Sequence, residues 1–214
     1  YGDYVTTTTA QICVQHGFGN GVEESCEYQV EAVKKLMYNL PIHGYAAINM
    51  KAIPIINDAV GGVNVEALSD VRNGRGRKVV SKGDAVHLEG EDAFWYVKYR
   101  DVNEFASADL RLARQKQYLT TFMSQAKAQA KDNIGIVSEL YNDLVPYMTT
   151  DVTFDEVAYL APEVIGYSYD ESSFHMLEGE TKMGEEFEEF YPNEGALYDL
   201  IISIFYEDVD IKKQ

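Results

Sequence analysis

The segment 108–132 carries the longest helical pattern in the chain, and the rest of the fold has to be built around it. A helix of this span is roughly 37 Å long at 1.5 Å per residue. One stripe along it is apolar and consists of Leu112, Leu119, Met123 and Ala126. A second stripe follows the spacing i, i+3, i+4, i+7 and consists of Arg111, Arg114, Gln115 and Tyr118. Two guanidinium groups and a carboxamide are therefore predicted to share one helical face.

Extended segments alternate with helical ones in the remaining sequence. The predicted strands are 4–14, 45–49, 63–65, 78–80 and 85–88. The predicted helices are 24–39, 50–60, 134–147, one that begins at a Thr153 cap, and 194–206. Segment 90–97 is either a helix or an extended approach to Lys98. This alternation is typical of an α/β fold with a mixed central β-sheet flanked by helices, an α/β/α sandwich, and the length of 1–214 fits a single domain.

The charged residues are unevenly distributed. A formal net charge of −17 opposes binding to nucleic acid, because a phosphate backbone favours lysine and arginine. All six arginines nevertheless fall within one segment, as Arg72, Arg75, Arg77, Arg100, Arg111 and Arg114. An acidic protein that gathers its guanidinium groups in this way has either a local anion-binding site or a solvated basic face.

The two cysteines, Cys13 and Cys26, leave two interpretations open. In an exported protein they would form a disulfide worth on the order of 3 kcal/mol, whereas in a cytosolic protein they would be small core residues. We favour the disulfide. The histidines lack the spacing of metal ligands, and no apolar run is long enough to span a membrane. Any export signal or anchor is therefore expected upstream.

Two motifs on either side of a short loop carry a family resemblance. The first is Gly90-Glu91-Asp92-Ala93-Phe94-Trp95-Tyr96-Val97-Lys98-Tyr99-Arg100, and the second is Arg111-Leu112-Ala113-Arg114-Gln115. An upstream element, Asn57-Asp58-Ala59-Val60-Gly61-Gly62-Val63-Asn64-Val65, and the ending 194–206 follow the same order. The chain thus resembles the LytR-CpsA-Psr family, or cell envelope-related transcriptional attenuator domain. Its pattern is Gly-x-x-Ala-Leu-x-Tyr-x-Arg-x-Arg, a variable loop, and Arg-x-x-Arg-Gln opening a long helix.

The resemblance implies a phosphotransferase that moves a glycopolymer phosphate from a polyprenyl-pyrophosphate carrier to peptidoglycan, attaching teichoic acid or capsule to the cell wall. Its implied catalytic residues are Arg100, Arg111 and Arg114. The implied substrate-binding residues are Lys98, Gln115, Tyr118 and Asp109. Converging guanidinium groups suit this chemistry, because cleavage of a diphosphate develops charge on its bridging and leaving oxygens.

Three departures from the family pattern qualify that implication. Lys98 stands where most members have the first arginine of the Arg-x-Arg pair, which keeps the charge but loses the planar fork. Asp109 lies two positions before Arg111, whereas the family's acidic residue commonly lies three before. The family's opening strands, with an aspartate pair for magnesium, find no match, so the chain is expected to correspond to the later two-thirds of the domain with the magnesium ligands upstream.

The resemblance also implies partners and a location. The expected partners are a polyprenyl-pyrophosphate-linked glycan and peptidoglycan, with no nucleic acid. The expected location is outside the cytoplasmic membrane of a Gram-positive-type bacterium, with membrane contact through an upstream anchor.

Other interpretations of the sequence remain open. One is a family member that binds the polyprenyl phosphate without turnover, and another is an ion-paired surface stripe formed by the arginines with Asp101, Glu104 and Asp109. A regulatory role is disfavoured by the net charge. The abundant apolar residues suit either a lipid tunnel or a filled core.

Overall fold

The computed structural model describes residues 12–104, 107–168, 171–184 and 188–207. The predicted strand 4–14 therefore lies almost entirely outside the described residues. The chain divides into two compact units, Tyr1–Tyr45 with Met176–Gln214, and Ala46–His175. No helix of the described residues is both long enough and apolar enough to cross a bilayer.

The predicted elements that fall within the described residues occur in the predicted order, together with strands at 71–72, 148–150, 179–183 and 188–192 that the sequence did not predict. The helices are α1 (Val22–Leu36), α2 (Ile53–Ala59), α3 (Gly90–Lys98), α4 (Ser107–Asp132), α5 (Gly135–Leu144), α6 (Phe154–Gly166) and α7 (Glu194–Phe205). The strands are β1 (Ala46–Ile48), β2 (Val63–Glu66), β3 (Val71–Arg72), β4 (Lys78–Val80), β5 (Ala85–Leu88), β6 (Met148–Thr150), β7 (Gly179–Met183) and β8 (Glu188–Pro192). Short 3₁₀ turns occupy Ile12–Gly17, Met50–Ala52, Val145–Tyr147 and Glu171–Ser173.

The α/β class predicted from the sequence is confirmed. The described strands pair only antiparallel and in twos, β1 with β6, β2 with β5, β3 with β4 and β7 with β8, where the sequence suggested one mixed central sheet. In the second unit, the paired strands β3 and β4 lie between β2 and β5 along the chain, so each of these strands pairs with its antiparallel partner and not with a central sheet. The chain from 63 to 88 therefore forms one antiparallel ribbon, with Val63 opposite Leu88 and Val71 opposite Val80.

The core of the second unit lies between this ribbon, α3 and α4. Its buried members are Val60, Val63, Val65, Ala67, Val71, Val80, Leu88, Ala93, Tyr96 and Tyr118. Alternation along β2 turns Val63 and Val65 inward, while the spacing i, i+3 on α3 does the same for Ala93 and Tyr96. The core therefore fixes where α3 ends relative to α4.

The first unit comprises α1, α7 and the β7–β8 hairpin. α1 ends earlier than the sequence suggested, because Tyr38 and Asn39 adopt left-handed backbone conformations with φ of 52° and 62°. The Tyr38 hydroxyl then donates to the Glu194 carbonyl at 3.3 Å. Leu197 and Ile201 of α7 are buried.

Ile204 and Phe205, at the end of α7, are 43% and 56% exposed, since the buried stripe of the helix ends one turn earlier.

One expectation for the first unit is wrong. The predicted disulfide is not formed. Cys26 is turned into the interior, where its Sγ lies 3.7 Å from His16 Nε2, whereas Cys13 is exposed.

Candidate functional site

Arg114 joins the end of α3 to α4. Its side chain is nearly inaccessible, with 2% of the residue surface exposed. Nε donates to the Tyr96 carbonyl at 3.0 Å, Nη2 donates to the Tyr99 carbonyl, and Nη1 donates to Ser69 Oγ at 2.6 Å. Burial lowers the pKa of Arg114, although an arginine remains charged at neutral pH. The guanidinium predicted to be catalytic is thus directed at neutral acceptors of the protein itself.

The segments on either side of the α3–α4 connection come together through side-chain hydrogen bonds. Gln115 Nε2 donates to the Val97 carbonyl at 3.2 Å, and Arg100 Nε donates to Ser107 Oγ at 3.0 Å. Ser107 is the first residue of α4 and is buried. The segments that carry Lys98, Arg100 and Arg111 therefore meet where α3 ends and α4 begins, a place that we call the α3–α4 junction.

The other predicted residues differ in how accessible they are. Lys98 is exposed, with its ammonium 4.8 Å from the ring centroid of Phe94 and 5.4 Å from that of Trp95. Arg111 is half-buried and has no hydrogen bond or ion pair with any described residue. Its charge is nevertheless close enough to contribute to the lowered pKa of Arg114, after the larger effect of burial. Asp109 is exposed on the first turn of α4.

The arginines of α4 do not form the ion-paired stripe that the sequence left open. Within the described part of the chain, neither Arg111 nor Arg114 has a carboxylate within ion-pair distance. Their two positive charges sit one helical turn apart without a counter-ion, although the chain as a whole carries −17. Such an arrangement attracts an anion.

Tyr118 is buried and belongs to a hydrogen-bonded group around Asn57. Its hydroxyl donates to Asn57 Oδ1 at 3.1 Å, and Asn57 Nδ2 donates to the Leu88 carbonyl at 2.9 Å. Asp58 Oδ1 accepts from the backbone N–H of Gly90 at 2.8 Å and so pairs a donor at the start of α3 that has no partner within the helix. Burial raises the pKa of Tyr118, with a smaller contribution from the nearby Asp58 carboxylate. The structure thus gives Tyr118 a positioning role, and its predicted contact with substrate stays a prediction.

Glutamine side chains fix α4 against the backbone of β2 and the residues just before it. Gln117, Gln125 and Gln129 donate to the carbonyls of Glu66, Gly62 and Val60 at 2.9, 2.7 and 2.7 Å. The apolar stripe of α4 is only partly used, since Leu112 and Leu119 are 42% and 44% exposed. The helix therefore meets β2 through these glutamines as well as through Tyr118, Phe122 and Ala126, which belong to the core or pack against it.

The sequence missed the groups that hold Arg114 in place. Ser69 and the carbonyls of Tyr96 and Tyr99 had no signal of their own, because any residue supplies a carbonyl. Asn57 and Asp58 did have a signal, since they open the motif 57–65 that carries part of the family resemblance. Within that motif, Gly61 and Gly62 both have φ of +79°, a left-handed conformation that favours glycine and follows the end of α2.

Replacing Gly62 by alanine is expected to destabilise the protein by about 2–3 kcal/mol. A Cβ at Gly62 would meet the His87 ring and would lie 2.9 Å from the Leu88 carbonyl oxygen, in addition to the strain of a positive φ. Gly61→Ala is the matched control, because it has the same φ but its nearest new contact is Gln129 Nε2 at 3.8 Å. Urea denaturation of the two variants measures the difference, and equal losses would show that the close approach to β5 is unimportant.

The expected magnesium site stays a prediction. Among the described residues, no group of three or more histidine, cysteine, aspartate or glutamate side chains comes close enough to hold a metal ion. Magnesium at phosphate sites is usually held by one or two carboxylates together with the phosphates of the substrate, so this finding does not test the expectation. We derive no chemical step through the metal ion.

Fold and site together define an α/β protein with a positively charged α3–α4 junction. The chain belongs to the LytR-CpsA-Psr family, whose model matches residues 3–199. No curated protein sequence matches it.

Several solved structures share the fold. TagV of B. subtilis is similar with a TM-score of 0.72 and 20% identity, over 96% of this chain and 79% of that one. A transcriptional regulator from Enterococcus faecalis gives 0.68 and 20% over 92% and 68%. TagT bound to LI-WTA gives 0.63 and 18% over 90% and 69%.

Proposed function

We propose that this protein attaches an anionic glycopolymer to the bacterial cell wall, by moving a glycopolymer phosphate from a polyprenyl-pyrophosphate carrier to peptidoglycan. Membership of the LytR-CpsA-Psr family supports the proposal. The structural similarity to TagT bound to LI-WTA also supports a glycopolymer as the ligand class. The protein would act outside the cytoplasmic membrane of a Gram-positive-type bacterium, with a membrane anchor elsewhere in the full-length protein.

One observation carries the proposal: the positive charges of Arg111 and Arg114 lie at the α3–α4 junction without a carboxylate partner among the described residues. Lys98 and Arg100 are exposed at the same junction and add to the positive potential. A diphosphate brings at least two negative charges, which would pair with the Arg111 guanidinium and be attracted by the buried charge of Arg114. Guanidinium groups hold such oxygens in short, charge-assisted hydrogen bonds.

The residues have distinct tasks in this mechanism. An acceptor hydroxyl of peptidoglycan attacks the phosphorus that bears the glycan, and the bond from that phosphorus to the bridging oxygen breaks. Polyprenyl phosphate leaves, while the hydroxyl proton is lost to solvent. Arg111, with Arg100 and Lys98, stabilises the charge on the bridging and leaving oxygens. Arg114 is a positioning residue that holds the junction together.

Gln115 is suited to a sugar hydroxyl. Its Nε2 uses one N–H for the Val97 carbonyl, so the second N–H and the Oε1 acceptor stay available. A sugar hydroxyl, which both donates and accepts, matches such an amide. Asp109, which is exposed and lies two residues before Arg111, is likewise proposed to face the glycan.

The isoprenoid needs apolar surface close to its phosphate. On α4, Leu112 follows Arg111 directly, and Leu119 lies two turns further along the same stripe. α6 packs against both α4 and α5 and leaves Tyr159, Leu160 and Val164 exposed, at 79%, 50% and 49%. These exposed apolar side chains on neighbouring helices support an isoprenoid as the lipid, because a chain of isoprene units needs apolar surface along its length.

The test is release of polyprenyl phosphate from a polyprenyl-pyrophosphate-linked glycan, measured with and without magnesium. Turnover by this chain supports the enzyme. The rival is a family member that binds the lipid phosphate without turnover. Lys98 favours this alternative, because the point charge of an ammonium replaces the planar guanidinium that most members have there. Tight binding of polyprenyl phosphate without release, even in the full-length protein, would decide for that rival.

A further inference from the structure

The tip of the β3–β4 ribbon is strongly cationic. Residues 71–83 contain no aspartate or glutamate, and their five basic residues are Arg72, Arg75, Arg77, Lys78 and Lys82. All five are exposed. We call this segment the cationic ribbon. The charge of this segment is therefore opposite in sign to the net charge of the chain, which is −17.

The conformation of the cationic ribbon is held by hydrogen bonds. Asn73 Oδ1 accepts from the backbone N–H groups of Arg75 and Arg77, both at 3.0 Å. The backbone N–H of Gly76, at φ +78°, donates to the Asn73 carbonyl at 2.9 Å. These bonds define the turn, so the arginines are presented from a preformed backbone.

Most of the charge on the cationic ribbon stays available to a partner. The Arg77 guanidinium lies 3.5 Å from the Asp92 carboxylate, and the Lys78 ammonium lies 3.3 Å from that of Asp70. Both pairs are exposed, and such pairs are weak and readily exchanged. Arg72 donates to the Gly76 carbonyl, a neutral group. The side chains of Arg75 and Lys82 have no carboxylate partner among the described residues.

Trp95 connects the cationic ribbon to the α3–α4 junction. Its ring packs so closely on Gly74 that a Cβ there would lie 2.8 Å from Trp95 Cη2. The same ring has the Lys98 ammonium 5.4 Å from its centroid. Positive charge therefore continues from the tip of the ribbon, past one indole, to the proposed diphosphate site.

We infer that the cationic ribbon is a second binding surface, which takes the anionic polymer beyond the diphosphate. Its ligand is a chain of repeating phosphodiester units, because regularly spaced negative charges match exposed arginines on a preformed turn. The inference rests on the proposed function for the identity of the polymer. Binding to the ribbon requires no turnover, however, so it is testable separately.

The test compares the binding of poly(glycerol phosphate) to the unmodified protein and to the triple variant R72Q/R75Q/R77Q. Titration calorimetry measures both affinities at several salt concentrations. We expect at least a tenfold loss of affinity at low salt. We also expect the dependence of log K on log salt to become shallower by about two to three units, since fewer counterions are released on binding. Arg75→Gln alone, whose side chain holds no contact in the turn, should give a smaller loss in the same direction.

The matched control removes three charges elsewhere in the same unit, as K51Q/K127Q/K131Q. It should bind the polymer with nearly the affinity of the unmodified protein, and an equal loss in the control would overturn the inference. So would a triple variant that keeps its affinity for the polymer but loses its affinity for phosphatidylglycerol vesicles, because the ribbon would then be a membrane contact.

Failure of the inference and failure of the proposed function give different results. If the cationic ribbon has this role, the triple variant should still cleave a polyprenyl pyrophosphate that lacks the polymer. If the unmodified protein does not cleave that substrate, the proposed function fails. The binding experiment with the triple variant would still test the cationic ribbon, because it needs no turnover.

Discussion

Replacing Arg114 by methionine is expected to lower the free energy of unfolding by about 3 kcal/mol. The substitution leaves the carbonyls of Tyr96 and Tyr99 without their donors, and a buried acceptor without a partner costs about 1–3 kcal/mol. Part of that loss is offset, because methionine avoids the desolvation of a guanidinium that has no carboxylate partner among the described residues. The contacts with Ser69 and with two tyrosine rings are lost as well.

Urea denaturation followed by circular dichroism measures this effect. Arg114→Lys is the informative companion, because it retains the charge but cannot reach three acceptors on different segments from one nitrogen. We expect its stability to fall between those of the methionine variant and the unmodified protein. A methionine variant as stable as the unmodified protein would mean that Arg114 does not hold the α3–α4 junction together.

Replacing Arg111 by glutamine is expected to reduce kcat/KM for release of polyprenyl phosphate by a factor of about 10²–10³, with no measurable change in stability. Arg111 makes no hydrogen bond or ion pair with any described residue, so its removal leaves no protein group unsatisfied. Its positive charge is instead available to the diphosphate, where it would act on charge that develops during cleavage. Steady-state kinetics together with urea denaturation separate the two effects.

Lys127→Gln is the matched control for Arg111→Gln, since it removes one positive charge from the same helix further along the chain. Its kinetics should resemble those of the unmodified protein. Retained activity in Arg111→Gln would exclude the proposed role. If the protein binds without turnover, the same substitution should instead weaken the binding of polyprenyl phosphate, and unchanged affinity would count against that alternative too.

The two arginines of the Arg-x-x-Arg-Gln motif thus lie in different environments. They are three residues apart and were assigned the same role from the sequence. In the structure, Arg114 is enclosed by the end of α3 and the loop after β2, whereas Arg111 lies one turn earlier at the edge of the junction. Which of the two is enclosed depends on Ser69, Tyr96 and Tyr99, and not on the motif.

The sequence by itself determined the order and nature of most elements. Segment 108–132 became α4, the strands at 63–66, 78–80 and 85–88 formed close to their predicted positions, and Thr153 caps α6 in a reciprocal pair with Glu156. The motifs around Arg100 and Arg111 also predicted the family, and the match to the family model confirms it. These features depend on local periodicity, caps and turn residues, which act within a few positions of each other along the chain.

Only the tertiary structure decided which faces were enclosed and by what. It left Leu112 and Leu119 partly exposed on α4, separated the environments of Cys13 and Cys26, and placed Arg114 against carbonyls from α3. Helical spacing shows which residues share a face, but burial depends on the element that packs there. For α4, that element includes β2 and α3, whose carbonyls accept from its glutamines and from Arg114 and carry no signature in the amino-acid sequence.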